Sequence, residues 1–211
     1  VVLSNFTSPP RVGETDHGVA FFEAMGYETQ VSPYKFEGEA ELKHLNSNVY
    51  VGGYGSRSQE QTYRWMESTF DMEIIKVGMD DPYCYHLDCM IFPVNPETVM
   101  ACTELLEKDE IQQIEQHAEI IDVSYDDACS GITNSVRLAN LILNSSHIRE
   151  LKVGTEDYEM EIHKNRRLED IAVKLGMEVA FFNLSEYHKG GALLSCMIMH
   201  LNRKSYEDTL L

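Results

Sequence analysis

Cys196 is the residue around which covalent chemistry can be organised in this chain. It follows the stretch Lys189-Gly190-Gly191-Ala192-Leu193-Leu194-Ser195 and opens an apolar run, Met197-Ile198-Met199-His200-Leu201. A Gly-Gly pair lets the backbone reach positive φ and approach a ligand closely. The alternation that follows predicts a buried strand over residues 194–201, with the sulfur at its mouth. A thiolate placed there is a nucleophile, whereas most free cysteines are inert packing residues. The residues upstream decide between the two.

The first of them are His86 and Asp88 in Cys84-Tyr85-His86-Leu87-Asp88-Cys89. Two apart on a predicted strand (85–93), they share one face, and a carboxylate beside an imidazole fixes its tautomer and suits it to general acid work. A structural His–Asp pair is the commoner meaning of that spacing. Cys84, His86 and Asp88 also read as a metal cluster, but structural zinc sites typically show paired ligand spacings that are absent here, so no metal site is assigned. Phe36-Glu37-Gly38-Glu39-Ala40-Glu41-Leu42 sets three carboxylates at alternate positions. On a strand they share a face and repel one another unless a cation lies among them, and a planar guanidinium with five N–H donors fits. The plainer reading is a solvated acidic edge. Basic residues are scarce, so two stand out: Arg11 in Pro9-Pro10-Arg11-Val12-Gly13-Glu14, and Arg57 after the Gly-rich turn Gly52-Gly53-Tyr54-Gly55-Ser56. That turn lacks the Gly-Lys-Ser/Thr ending of a phosphate loop. Arginine at such places grips a carboxylate through two parallel hydrogen bonds, although each taken alone is an ordinary surface residue.

The elements that must position these groups follow a recurring order. Strands are predicted over 1–6 and 28–34 with a helix at 15–25 between them. Further units read as strands 41–45 and 48–52, helix 59–70, strand 72–77; then strands 85–93 and 98–102, helix 108–117, strand 119–124. The last has strands 135–139 and 141–143, helix 158–175, and strands 178–183 and 194–201. Four copies of a strand, strand, helix, strand unit point to an α/β repeat architecture rather than a doubly wound sheet. Such units bury their apolar faces on neighbours, and a closed ring brings the inner strand ends to one mouth.

Composition narrows the partners. Against 35 Asp and Glu the 211 residues carry 17 Lys and Arg, a formal charge of −18, which repels nucleic acid and anionic lipid and is compatible with a small cationic ligand. No apolar run approaches the roughly 18 residues that a membrane span needs. Five cysteines without paired spacing indicate free thiols in a reducing compartment such as the cytoplasm.

Taken in order, the Pro-Pro-Arg-x-Gly-Glu loop, the Glu-Gly motif at Glu37, the arginine after a Gly-rich turn, His-Leu-Asp, and a late Cys after Lys-Gly-Gly resemble the guanidino-group modifying superfamily. It includes dimethylarginine dimethylaminohydrolases, arginine deiminases, arginine dihydrolases and amidinotransferases. The likeness runs from Val1 to about Arg203. It implies a single catalytic domain over residues 1–211, a pseudo-fivefold α/β propeller of ββαβ units. About four of the five units are expected here, the first lying upstream of Val1 together with an Asp or Asn that contacts the guanidinium. Carried over, the resemblance makes Cys196 the nucleophile and His86 the general acid/base. Asp88 becomes an orienter or guanidinium contact, Glu37 the guanidinium holder, and Arg11 and Arg57 the grip on the substrate carboxylate. Ala40 stands where many members have a second acid, and Glu39 or Glu41 is expected to substitute. The implied activity is hydrolysis of a guanidino C–N bond through a covalent thiouronium, with no cofactor. Transfer of the amidino group to an amine, or ligand binding without turnover, are the alternatives, and a homo-oligomer stays open.

Overall fold

The computed structural model describes residues 1–201. They form an α/β fold with four small sheets in two compact units, Val1–Leu87 with Leu106–His117, and Asp88–Leu105 with the chain from Ala118 onward.

The first unit opens with β1 (Val2–Leu3), α1 (Glu14–Ala24) and β2 (Gln30–Val31), with β1 and β2 paired in parallel. Next come β3 (Leu42–Asn46), β4 (Val49–Gly55), α2 (Glu60–Thr69) and β5 (Glu73–Met79). β3 and β4 form an antiparallel hairpin, and β5 returns through α2 to lie parallel to β4. The unit also contains α3 (Lys108–Glu115), entered through a reciprocal cap in which the Glu107 N–H donates to Glu110 Oε2 at 2.8 Å. Gly52 and Gly53, predicted as part of a turn, lie inside β4. Their missing side chains are what the packing uses: a Cβ on Gly52 would come within 2.8 Å of the Tyr63 ring, and one on Gly53 within 2.7 Å of Glu41 Oε2. Into that space Tyr63 brings its hydroxyl, which donates to the Glu41 carbonyl at 2.9 Å. Phe36, Tyr63, Met66 and Ile74 form the apolar core beneath it.

The second unit holds β6 (Ile91–Asn95), β7 (Thr98–Ala101) and β8 (Glu119–Asp122), again antiparallel and then parallel. After α4 (Tyr125–Cys129) come β9 (Val136–Leu138), β10 (Leu141–Ser145), α5 (Glu156–Lys174), β11 (Glu178–Phe182) and α6 (Ser185–His188). β10 pairs antiparallel with β9 and parallel with β11. Thr155 caps α5 by accepting from the Tyr158 N–H, and Leu168, Ile171 and Ala172 bury one face. Lys164 on the same helix is also buried. Its ammonium donates to Glu161 Oε1 at 2.8 Å and to the Ser145 carbonyl at 2.7 Å, so the charge has partners where water is absent.

The strand, strand, helix, strand order is therefore present three times, and once without its leading antiparallel strand. Two predicted strands are corrected. Residues 85–93 begin instead with a 3-10 turn, Leu87–Cys89, and β6 starts only at Ile91. Residues 194–201 do not form a strand either: Ser195–Met197 is a 3-10 turn, and Met197, Ile198, Met199 and Leu201 are exposed. Among the described residues the apolar alternation there has no sheet partner to bury it. The Ser195 N–H donates to a side chain, Asn134 Oδ1, instead of to a neighbouring strand. Among the described residues no helix is long and apolar enough to cross a membrane.

Candidate active-site residues

In the first unit Glu37 gathers three donors. It follows Phe36, whose bridge to Asn5 ends the extended segment, and its own N–H donates to Ser58 Oγ at 3.1 Å. The carboxylate is buried. His86 Nε2 donates to Oε2 at 2.8 Å, an Arg57 guanidinium nitrogen lies 3.6 Å from the same oxygen, and the Thr7 N–H reaches Oε1 at 3.4 Å. Burial works against the charge on Glu37, but the His86 hydrogen bond and the positive charges of His86 and Arg57 outweigh it and hold the carboxyl below its ordinary value. Arg57 also lies over the Tyr85 ring, 5.1 Å from its centroid, and Tyr85 packs on His86.

The predicted common face of Glu37, Glu39 and Glu41 does not exist. Residues Gly38–Ala40 form a 3-10 turn, which removes the strand alternation: Glu37 and Glu41 are buried and Glu39 is only partly covered. Glu41 Oε2 accepts from the Leu87 N–H at 3.2 Å. The His86-Leu87 segment is thus held by two carboxylates, Glu37 through the ring and Glu41 through the backbone. Arg11 is placed elsewhere in the unit: it forms a two-pronged pair with Glu14, both bonds 3.0 Å, and lies 4.0 Å from the centre of the Phe6 ring.

In the second unit Asp88 and Cys196 come together. Asp88 is fully buried in its 3-10 turn, with Oδ1 accepting from Cys89 Sγ at 3.8 Å, and its charge acts on the Cys196 thiol. Its Oδ2 is buried and has no hydrogen-bond partner among the described residues. Burial of the sulfur, and then the negative charge of Asp88, push the Cys196 thiol above its ordinary value of 9.0. A backbone N–H at Leu193 and the Asn134 amide pull the other way. The residue as a whole is nonetheless exposed.

The expected His86–Asp88 partnership is corrected by the 3-10 turn, which removes the two-residue strand period: His86 is paired with Glu37, and Asp88 with thiols. Among the described residues no group of three His, Cys, Asp or Glu side chains is arranged to hold a metal ion. Asn134 escaped the sequence reading. It lies 62 residues before Cys196, and a lone buried Asn beside Gly131 carries no pattern that marks it.

Residues 18–203 match the family described as N,N dimethylarginine dimethylhydrolase, eukaryotic. The chain belongs to that family. With it comes membership of the guanidino-group modifying superfamily. The uncharacterized protein ZK1307.1 of Caenorhabditis elegans is 23% identical over 95% of the chain and 67% of its own length. The bifunctional arginine dihydrolase/ornithine cyclodeaminase ArgZ of Synechocystis is 24% identical over 99% of the chain but only 28% of its own length. This member of the dimethylhydrolase family therefore spans about two thirds of one relative and little more than a quarter of the other. Its fold is that of the N-terminal domain of ArgZ, solved covalently bound to a reaction intermediate (TM-score 0.78, 24% identity, 93% of this chain and 68% of that one). It is also that of a dimethylarginine dimethylaminohydrolase in adduct with S-methyl-L-thiocitrulline (TM-score 0.68, 17% identity, 93% and 69%).

Proposed function

We propose that this protein hydrolyses a C–N bond of an arginine-like guanidino compound through a covalent bond to Cys196. The observation that supports the reading is the Cys196 sulfur within the electrostatic influence of the buried Asp88 carboxylate, one oxygen of which has no hydrogen-bond partner among the described residues. A guanidinium offers two N–H donors in one plane, which suits a carboxylate in that position. Its positive charge would offset the Asp88 charge, which together with burial disfavours the thiolate, so the thiol gives up its proton to solvent water when its electrophile arrives.

The thiolate then attacks the guanidinium carbon and a C–S bond forms. The C–N bond breaks as the departing nitrogen takes a proton from His86, whose ring Glu37 holds by Nε2. His86, now able to accept, takes a proton from water, the hydroxide adds to the thiouronium carbon, and the C–S bond breaks as the hydroxyl proton passes to sulfur, leaving a C=O and returning the thiol. Arg57, next to Glu37, is the residue proposed to grip the substrate's carboxylate, with Arg11 in a lesser part. Glu41 braces the backbone after His86, and Glu39 is left with at most a peripheral role. Water is the only co-reactant. Under the same proposal the chain works as one catalytic domain with the propeller fold of its superfamily, in a reducing compartment that suits its five free thiols.

The test is Cys196→Ser. Because Cys196 is exposed, the variant is expected to keep the wild-type melting temperature within about 2 °C while release of ammonia or alkylamine from arginine and methylated arginines falls at least about a thousandfold. Undiminished release would overturn the proposal.

A further inference from the structure

The Cys196 turn is fastened by one side chain that the reaction above does not use. Asn134 is buried, and its Oδ1 accepts from the Ser195 N–H at 2.8 Å while its Nδ2 donates to Cys196 Sγ at 3.2 Å. The two contacts fix the amide's orientation. A backbone N–H only donates, so the oxygen must face Ser195, and the nitrogen is left to face sulfur as a donor.

The loop that presents Asn134 is itself braced. The Asn134 N–H closes a turn onto the Gly131 carbonyl at 3.2 Å. Buried Asn144 then donates to the Gly131 carbonyl at 3.0 Å and to Ser135 Oγ at 2.8 Å, tying both ends of the turn to β10. Gly131 has φ +82°, and a Cβ there would come within 2.4 Å of Leu193 Cδ1. Only glycine lets this loop and the segment before Cys196 pack so closely. Held on both sides, the carboxamide cannot turn away without leaving a buried amide unpaired.

We infer that Asn134 is a positioning residue for the nucleophile: its oxygen holds the Ser195-Cys196 turn, and its nitrogen donates a hydrogen bond that favours the thiolate over the thiol. Burial of the sulfur and the charge of Asp88 act on it in the opposite sense. The inference rests on Cys196 as the nucleophile for its meaning in turnover, but the effect on the sulfur is measurable without turnover.

The experiment is site-resolved alkylation of the full chain with iodoacetamide between pH 6 and 11, read by mass spectrometry at the Cys196 peptide, with kcat and KM measured in parallel. Asn134→Ala is expected to move the alkylation midpoint up by about one pH unit, which is about tenfold slower modification at pH 8. kcat is expected to fall by at least that factor, with KM within about twofold. Asn134→Asp keeps the shape and the acceptor for the Ser195 N–H but removes the donor and adds a charge, and is expected to move the midpoint further in the same direction. It also decides the matter if the alanine variant does not fold. An unchanged midpoint in either folded variant would overturn the inference. Failure of both to fold would overturn it as well, by making Asn134 a determinant of folding. Turnover persisting in Cys196→Ser would instead remove the nucleophile reading while leaving the alkylation result intact.

Discussion

Glu37 and Asp88 are both buried carboxylates in a protein of formal charge −18, and their surroundings treat them in opposite ways. Glu37 sits among donors: His86, Arg57 and the Thr7 N–H. Asp88 sits beside two thiols and keeps one oxygen unpartnered. A buried charge without a hydrogen bond is costly, and it usually persists where something other than stability requires it. Glu37 belongs to a set organised before any ligand arrives. Asp88 has the character of a group whose partner comes from solution, and until then its charge adds to burial in disfavouring the Cys196 thiolate.

Four substitutions test that contrast, in order of size. Asp88→Asn removes the charge that opposes the thiolate while also removing the proposed guanidinium contact. Turnover is expected to fall at least about a hundredfold, while alkylation of Cys196 at pH 8 becomes faster. Parallel measurement of the two rates checks it; if both fall together, Asp88 is only a structural part and the contrast is broken. Glu37→Gln keeps the shape and loses the charge that pairs with His86 and Arg57. kcat/KM is expected to drop by some tens of fold, and stability at pH 7 by about 2 kcal/mol. Since the Glu37 carboxyl is held below its ordinary value of 4.5, its contribution is fully present above that pH. It is lost as the pH falls through the folded-state value. Urea midpoints of wild type and variant should therefore differ at pH 7 and converge in acid. The smallest effect separates the arginines. Arg57→Gln is expected to raise KM about tenfold, and Arg11→Gln less than about twofold, as for exposed ion pairs in general. Equal effects in steady-state kinetics would restore Arg11 to the same rank.

How much of this was legible in the sequence depended on the range of the interaction. α5 was read almost to its ends, because Thr155 caps it and Leu168, Ile171 and Ala172 give its apolar face, all within one element. The order of strands and helices was legible for the same reason. His86 and Glu37 were found as chemistry-bearing types, and the structure pairs them across 49 positions of sequence. What failed was every inference that used strand periodicity to place side chains on a face. Glu37, Glu39 and Glu41 alternate in sequence, as do the residues after Cys196, yet Gly38–Ala40 and Ser195–Met197 turn as 3-10 helices and residues 198–200 join no strand. Alternation predicts a strand only where an edge is available, and that edge is a tertiary fact. Asn134 was hidden more deeply, since its importance comes from an amide and a sulfur 61 and 62 residues away.

The adjoining glycines of β4 carry a consequence for how this protein tolerates change. A methyl group on Gly53 would land on Glu41 Oε2, and one on Gly52 on the ring of Tyr63. The first would dislodge the carboxylate that secures the main chain just beyond the imidazole, and the second the ring whose hydroxyl holds the Glu41 carbonyl. Two positions that offer no functional group to a substrate are thus among the least replaceable, and a survey that scores residues by their reactive atoms would pass over them.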